Sequence, residues 1–138
     1  MNRPHVSPPL RISTNVNKLL ARRTTVDWNV TVGHQTKGCV RGCVVNVSIT
    51  GLLMQIPASY PHGAVVEVVL RPVPHELIHA VVQIIRVDPQ TDGSFLYGAC
   101  FTRLEDAGYY LLREKILMRQ DQFVSDFAAR QCALTAAG

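Results

Sequence analysis

A small antiparallel β barrel followed by one amphipathic helix is the fold the sequence predicts, and three observations carry it. From Val26 to Phe101 the chain runs in short stretches that are wholly apolar or alternate with period two, many of them β-branched. Gly and Pro punctuate these stretches at near-even spacing. After Glu105 the apolar positions recur instead at one or two helical turns. With 138 residues, 47% apolar and 17% charged, the chain can bury one core, which excludes wholesale disorder and leaves little room for a second domain.

The elements follow in order. Residues 1–17, with Pro4, Pro8, Pro9, Ser7, Ser13 and three Asn, lack any period and predict an extended lead-in. Residues 1–20 are therefore assigned to a flexible basic arm, 21–130 to the barrel with its helix, and the Ala-rich residues 131–138 to a frayed tail. Strands are predicted over 28–32, 39–47, 52–56, 64–70, 77–87 and 95–101, with turns at Gly33, Gly38, Gly51, 57–63, 72–74 and 89–93. Six short strands make a small barrel the simplest closed arrangement. The helix begins where Glu105 and Asp106 suit the positive end of its dipole, and Gly108 slightly weakens its first turn. Its stripe of Leu112, Ile116, Phe123 and Phe127 is expected to pack on the barrel.

Charge is unevenly placed. Residues 1–41 carry seven basic side chains (Arg3, Arg11, Lys18, Arg22, Arg23, Lys37, Arg41) against Asp27 alone, whereas the remainder carries seven basic and nine acidic groups. A basic arm on a near-neutral body suits an anionic partner or a solvated tail. No run approaches the roughly 18 apolar residues of a membrane span, and the N-terminus has no apolar signal core, so a cytoplasmic location is expected. In that compartment Cys39, Cys43, Cys100 and Cys132 are expected as free thiols.

Several motifs could carry chemistry. His75-Glu76-Leu77-Ile78-His79 spells H-E-x-x-H, which on a helix grips zinc with two histidines and activates water with the glutamate. Pro72 and Pro74 before it and the β-branched run after it favour a strand, where the two imidazoles would stand about 13 Å apart, too far to share a metal. Surface histidines are the expectation, with no metal. Cys39 and Cys43, four apart around Gly42, would share one face of a strand as small fillers. No phosphate loop, dinucleotide fingerprint or nucleophile elbow is present, and no pair of catalytic carboxylates is evident, so no enzyme is expected. A nucleic-acid role ranks below the others, because Trp28 is the only stacking residue near the basic arm.

What remains is Asn46-Val47-Ser48-Ile49-Thr50-Gly51, followed by Leu52 to Pro57, with Arg22-Arg23 upstream. Read alone, that segment is a turn of ordinary turn formers. Together with its surroundings it resembles the PilZ domain family, which pairs an R-x-x-x-R motif before the first strand with a D/N-x-S-x-x-G motif between the second and third. Asn46, Ser48 and Gly51 fill the second motif. His62-Gly63, the 80–87 strand and Leu96 to Phe101 continue the resemblance in order over about residues 20–120.

The resemblance implies a six-stranded barrel with a C-terminal helix, a bacterial cytoplasm, and a receptor for the second messenger cyclic di-GMP. Catalysis, a metal and a cofactor are not expected on the motif grounds above. The ligand-binding residues would be Arg22, Arg23, Asn46, Ser48 and Gly51. A guanidinium fork matches guanine edges and phosphates alike, while the turn offers hydrogen-bond donors and, at Gly51, close approach. The output would pass to a downstream protein of motility, pilus or exopolysaccharide machinery. The arginine motif departs from the pattern: counting from Arg22 reaches Val26, and counting from Arg23 reaches Asp27. Arg11, Lys18 or Arg41 could stand in for the missing cation; otherwise the domain is an adaptor that does not bind the nucleotide.

Overall fold

A computed structural model describes residues 20–35 and 37–120. The predicted arm up to residue 19, the tail, Cys132, and the helix positions Phe123 and Phe127 lie outside the described residues. Six strands, β1 (Thr24–His34), β2 (Gly38–Val47), β3 (Gly51–Ile56), β4 (Val65–Val73), β5 (Glu76–Pro89) and β6 (Phe95–Leu104), precede one helix, α1, over 106–120. Their order is a closed barrel, β1-β2-β3-β6-β5-β4, with every neighbouring pair antiparallel. The predicted fold class is the observed one.

Period two decides which side chains fill the barrel. In β1, Thr24, Val26, Trp28, Val30 and Val32 point inward, while Thr25, Asp27 and Asn29 face out. They meet Val44, Leu52, Met54, Ile56, Leu70, Ile78, Val82 and Ile84, all fully buried. Each such side chain contributes about 1.5–3 kcal/mol on full burial. β1 starts four residues before the sequence suggests, because Thr24 and Thr25 continue the alternation. Two glycines are required by the tightness of this barrel. A Cβ on Gly42 would collide with the Ile56 side chain and the Gln55 carbonyl oxygen, and one on Gly51 with the carbonyl oxygen of Ala99 on β6.

The two ends of the barrel are closed differently. At the end where β1 starts and β2 finishes, α1 lays Leu112 and Ile116 into the core, beside the fully buried Leu20. Leu20, which the sequence placed at the end of the arm, is thus part of the packed body. Gly108 has a packing role here, since a Cβ would press on Leu104 and Ile78, so the helix seats closer without one. Gln120 Nε2 donates to Thr24 Oγ1 at 2.9 Å, and Lys115 Nζ forms an ion pair of 2.6 Å with Glu76 Oε1. Both side chains of that pair are largely buried, 20% and 28% exposed.

At the other end the 57–64 segment folds over the opening and inserts Tyr60, whose ring packs edge-on against Tyr97 at 5.6 Å. The Tyr97 hydroxyl donates to Ala58 O at 2.5 Å and accepts from Tyr60 N at 2.8 Å, so a single phenol pins this segment. Burial raises the pKa of both tyrosines above the usual 10.0. A raised folded-state pKa means the contribution is whole below about pH 10 and is lost as pH climbs through the folded value. Tyr97→Phe is therefore expected to cost about 1–3 kcal/mol at neutral pH, and to flatten the loss of stability above pH 10 in urea titrations. An unchanged alkaline slope would refute that role.

Two motifs resolve structurally. Pro74 and His75 form the β4–β5 turn, Glu76 opens β5, and His75 and His79 are exposed. The H-E-x-x-H segment is a turn leading into a strand, and its glutamate is engaged by the helix. Among the described residues no group of three or more His, Cys, Asp or Glu is placed to hold a metal. Cys39 and Cys43 do share one face of β2, but it is the exposed outer face. The expectation that they fill the core is corrected: the inward positions are those of Val40, Gly42 and Val44, one residue out of phase with the cysteines.

Candidate functional site

The candidate site lies at the helix end of the barrel. Arg22 and Arg23 occupy the short connection between the helical residues 20–21 and β1. That connection is fastened to the β2–β3 turn, because Ile49 N donates to Leu20 O at 3.0 Å. The β1–β2 register places Thr25 opposite Asn46. Arg23, two residues before Thr25, then reaches across and donates from its guanidinium to Asn46 Oδ1 at 2.9 Å. Two residues that stand far apart in the sequence thus meet on the surface.

Ser48 and Gly51 are brought to the same turn, and each has an internal task. Ser48 N donates to Gly51 O at 2.9 Å, closing the turn. The buried Ser48 hydroxyl accepts from Thr50 N at 3.2 Å and shares a hydrogen bond of 2.9 Å with Thr50 Oγ1. Thr50 O in turn accepts from Phe101 N on β6 at 2.9 Å. Gly51 is glycine because β6 passes too close for a side chain. The turn is therefore a stiff support that leaves Asn46 and Arg23 presented to solvent. Arg22 is exposed and makes no hydrogen bond or ion pair with the described residues.

The incomplete arginine spacing falls on a β-bulge. Thr25 pairs with Asn46 and Trp28 with Val44, so Val26 and Asp27 together oppose Val45. Val26 is 5% exposed and belongs to the core, while Asp27 faces out. The geometry thereby separates the two ways of counting: an arginine at position 26 would be driven into the barrel, and one at position 27 would stand outside it beside Arg23. The acid now at position 27 partly offsets the charge of Arg22 and Arg23. Thr50, the Leu20–Ile49 bond and the Gln120–Thr24 bond were not foreseen from sequence. Of these, only Thr50 carried a signal, as a hydroxyl inside a run of turn formers.

Comparison with known proteins supplies the identification. The PilZ domain family matches residues 20–117. This chain belongs to the PilZ family. Solved PilZ-type structures share its fold. The PilZ domain of YcgR from Escherichia coli, determined with c-di-GMP, aligns with a TM-score of 0.62 at 10% identity, covering 78% of this chain and 95% of that domain. The Bacillus subtilis inhibitor of motility, MotI/DgrA, aligns with a TM-score of 0.62 at 17% identity over 72% of this chain and 50% of its own. MrkH of K. pneumonia in its apo state aligns with a TM-score of 0.57 at 17% identity, over 80% and 52%. The PilZ chain described here spans about half the length of MotI and MrkH. None of the curated protein sequences compared matches it. No helix among the described residues of this PilZ protein is long and apolar enough to cross a membrane.

Proposed function

We propose that this PilZ protein is a non-enzymatic receptor for cyclic di-GMP that passes the signal to a protein partner in the cytoplasm. The observation that supports the reading best is the Arg23–Asn46 hydrogen bond on the closed 48–51 turn, which joins the two family signatures at one exposed point. Cyclic di-GMP is a dianion with two guanines. A guanidinium already oriented by an amide can turn its remaining N–H groups to a phosphate or to guanine O6 and N7. Arg22, unpaired among the described residues, supplies a second cation, and Asn46 a donor amide. Ser48 and Gly51 act by holding the turn. The YcgR domain solved with c-di-GMP supports the ligand class through a shared fold.

The route to a partner runs through the neighbouring helix. Thr24 follows Arg23 directly and is bonded to Gln120 on α1, so a ligand that moves the Arg23 connection pulls on the last described turn of the helix. Isothermal titration of the protein with cyclic di-GMP tests the proposal. Saturable binding is expected, with Arg23→Gln losing roughly ten- to a hundredfold in affinity, the value of one charge-assisted fork. Absence of heat at millimolar nucleotide would overturn the receptor reading and leave a PilZ adaptor that works without nucleotide.

A further inference from the structure

A second basic cluster lies on the outer wall of the barrel, away from the Arg23–Asn46 point. Thr31 on β1 stands opposite Arg41 on β2, and Asn29 on β1 stands opposite Arg71 on β4. β2 and β4 flank β1 on its two sides, about 10 Å from one another at ordinary strand spacing. Arg41 and Arg71, both exposed, thus face one another diagonally across β1. Asn29, Val30, Thr31, Arg41, Gly42 and Arg71 line a cleft of about 270 Å3 there, room for a phosphate or pyrophosphate group.

The charges of this cleft are uncompensated. No carboxylate lines it, and neither guanidinium has an ion-pair or hydrogen-bond partner among the described residues. The outward acids on the same strands, Asp27 and Glu67, lie outside the lining. Two like charges facing one cleft repel, and an anion between them converts that repulsion into two charge-assisted contacts. Each guanidinium can offer a planar fork to phosphate oxygens. The Thr31 hydroxyl and the Asn29 amide lie between them as neutral donors. The two arginines are distant in sequence and meet only because β4 closes the barrel on β1.

We propose that the outer face of β2-β1-β4 is an anion subsite in which Arg41 and Arg71 hold a phosphate group from opposite sides of β1. The phosphate can come from two sources: a free phosphate or pyrophosphate ion, or a phosphodiester of a nucleotide laid along the barrel wall. The second source rests on the receptor reading above, and the first does not.

Amide chemical shifts of residues 29–31, 41–42 and 71, followed during titration at 150 mM salt with inorganic pyrophosphate and, separately, with cyclic di-GMP, decide the matter. Saturable shifts with pyrophosphate are expected in the wild type and in Arg23→Gln, and at least tenfold weaker in the doubly substituted Arg41→Gln/Arg71→Gln protein. Both positions are exposed, so that variant should keep the wild-type spectrum elsewhere. A response to cyclic di-GMP alone, lost in the double variant, also supports the subsite and makes the nucleotide its source. Silence of these amides toward both ligands, or equal shifts with sodium chloride matched in ionic strength, overturns it. The receptor reading fails separately, if the nucleotide leaves residues 22–25 and 46–51 unmoved.

Discussion

Asp27→Arg is expected to tighten cyclic di-GMP binding by roughly ten- to a hundredfold, the worth of about 1.5–3 kcal/mol in charge-assisted hydrogen bonds. The bulge opposite Val45 is the reason to choose this position. It leaves residue 27 on the outer face of β1, four residues after Arg23, so the substitution restores two guanidinium groups at the family spacing on one side of the sheet. Arginine at position 26 would instead have to enter the core, where Val26 is 5% exposed. Asp27→Asn separates the two parts of the effect, because it removes the acid without adding a fork and should gain only a few-fold. Since position 27 is exposed, neither change should shift stability by more than about 0.5 kcal/mol. Titration calorimetry on the three proteins is the measurement. Equal affinities for the Arg and Asn variants would show that the fork at this position does not reach the ligand.

Gly51→Val is expected to be the most damaging substitution in the candidate site, and to act through folding. Any Cβ there meets the Ala99 carbonyl oxygen and crowds the Cys100 backbone, neither of which can rotate away. The β3–β6 ladder, paired from Gly51–Cys100 to Ile56–Phe95, would have to spread. Overpacking of this kind costs about 1–3 kcal/mol, and more where backbone is the obstacle. Gly33→Ala is the matching control: the nearest atom to its Cβ would be Glu67 O at 4.0 Å, so little change is expected. Urea unfolding of both variants measures the difference. A Gly51→Val protein of wild-type stability that has lost only nucleotide binding would show that the glycine serves the ligand rather than the barrel.

The barrel was legible because alternation and punctuation coincide in this chain. Runs such as Val30 to Val32 and Leu77 to Val87 carry period two, and the glycines and prolines between them leave the strands no other way to divide. The early start of β1 was harder to read. Thr24, Thr25 and Asp27 are polar enough to suggest a loop, yet Thr25 and Asp27 face solvent and the buried Thr24 has its hydroxyl bonded to Gln120. Cys39 and Cys43 illustrate a different limit: spacing fixes that they share a face, but which face depends on the register of the whole strand, which one residue of slip inverts. At the site, the signature residues were visible in the sequence. The Arg23–Asn46 contact was not, since it follows from the β1–β2 register, and neither were the internal bonds of Ser48, since hydroxyl direction is set by the folded turn. Arg71 was missed altogether, because β4 meets β1 only on closure.

That closure also constrains how another protein can recognise this one. Each of the six strands has a hydrogen-bonded neighbour on both sides, so along the paired stretches no backbone N–H or C=O row is left open to a visiting strand. Recognition by strand addition, in which main-chain bonds supply the affinity and sequence matters little, is closed along those stretches. There a partner must be chosen through side chains: those of the outer wall, of the exposed side of α1 with Tyr110 and Met118, or of a bound ligand. Selectivity for one partner over its relatives would then evolve by surface substitution, with the barrel and its ladder left intact.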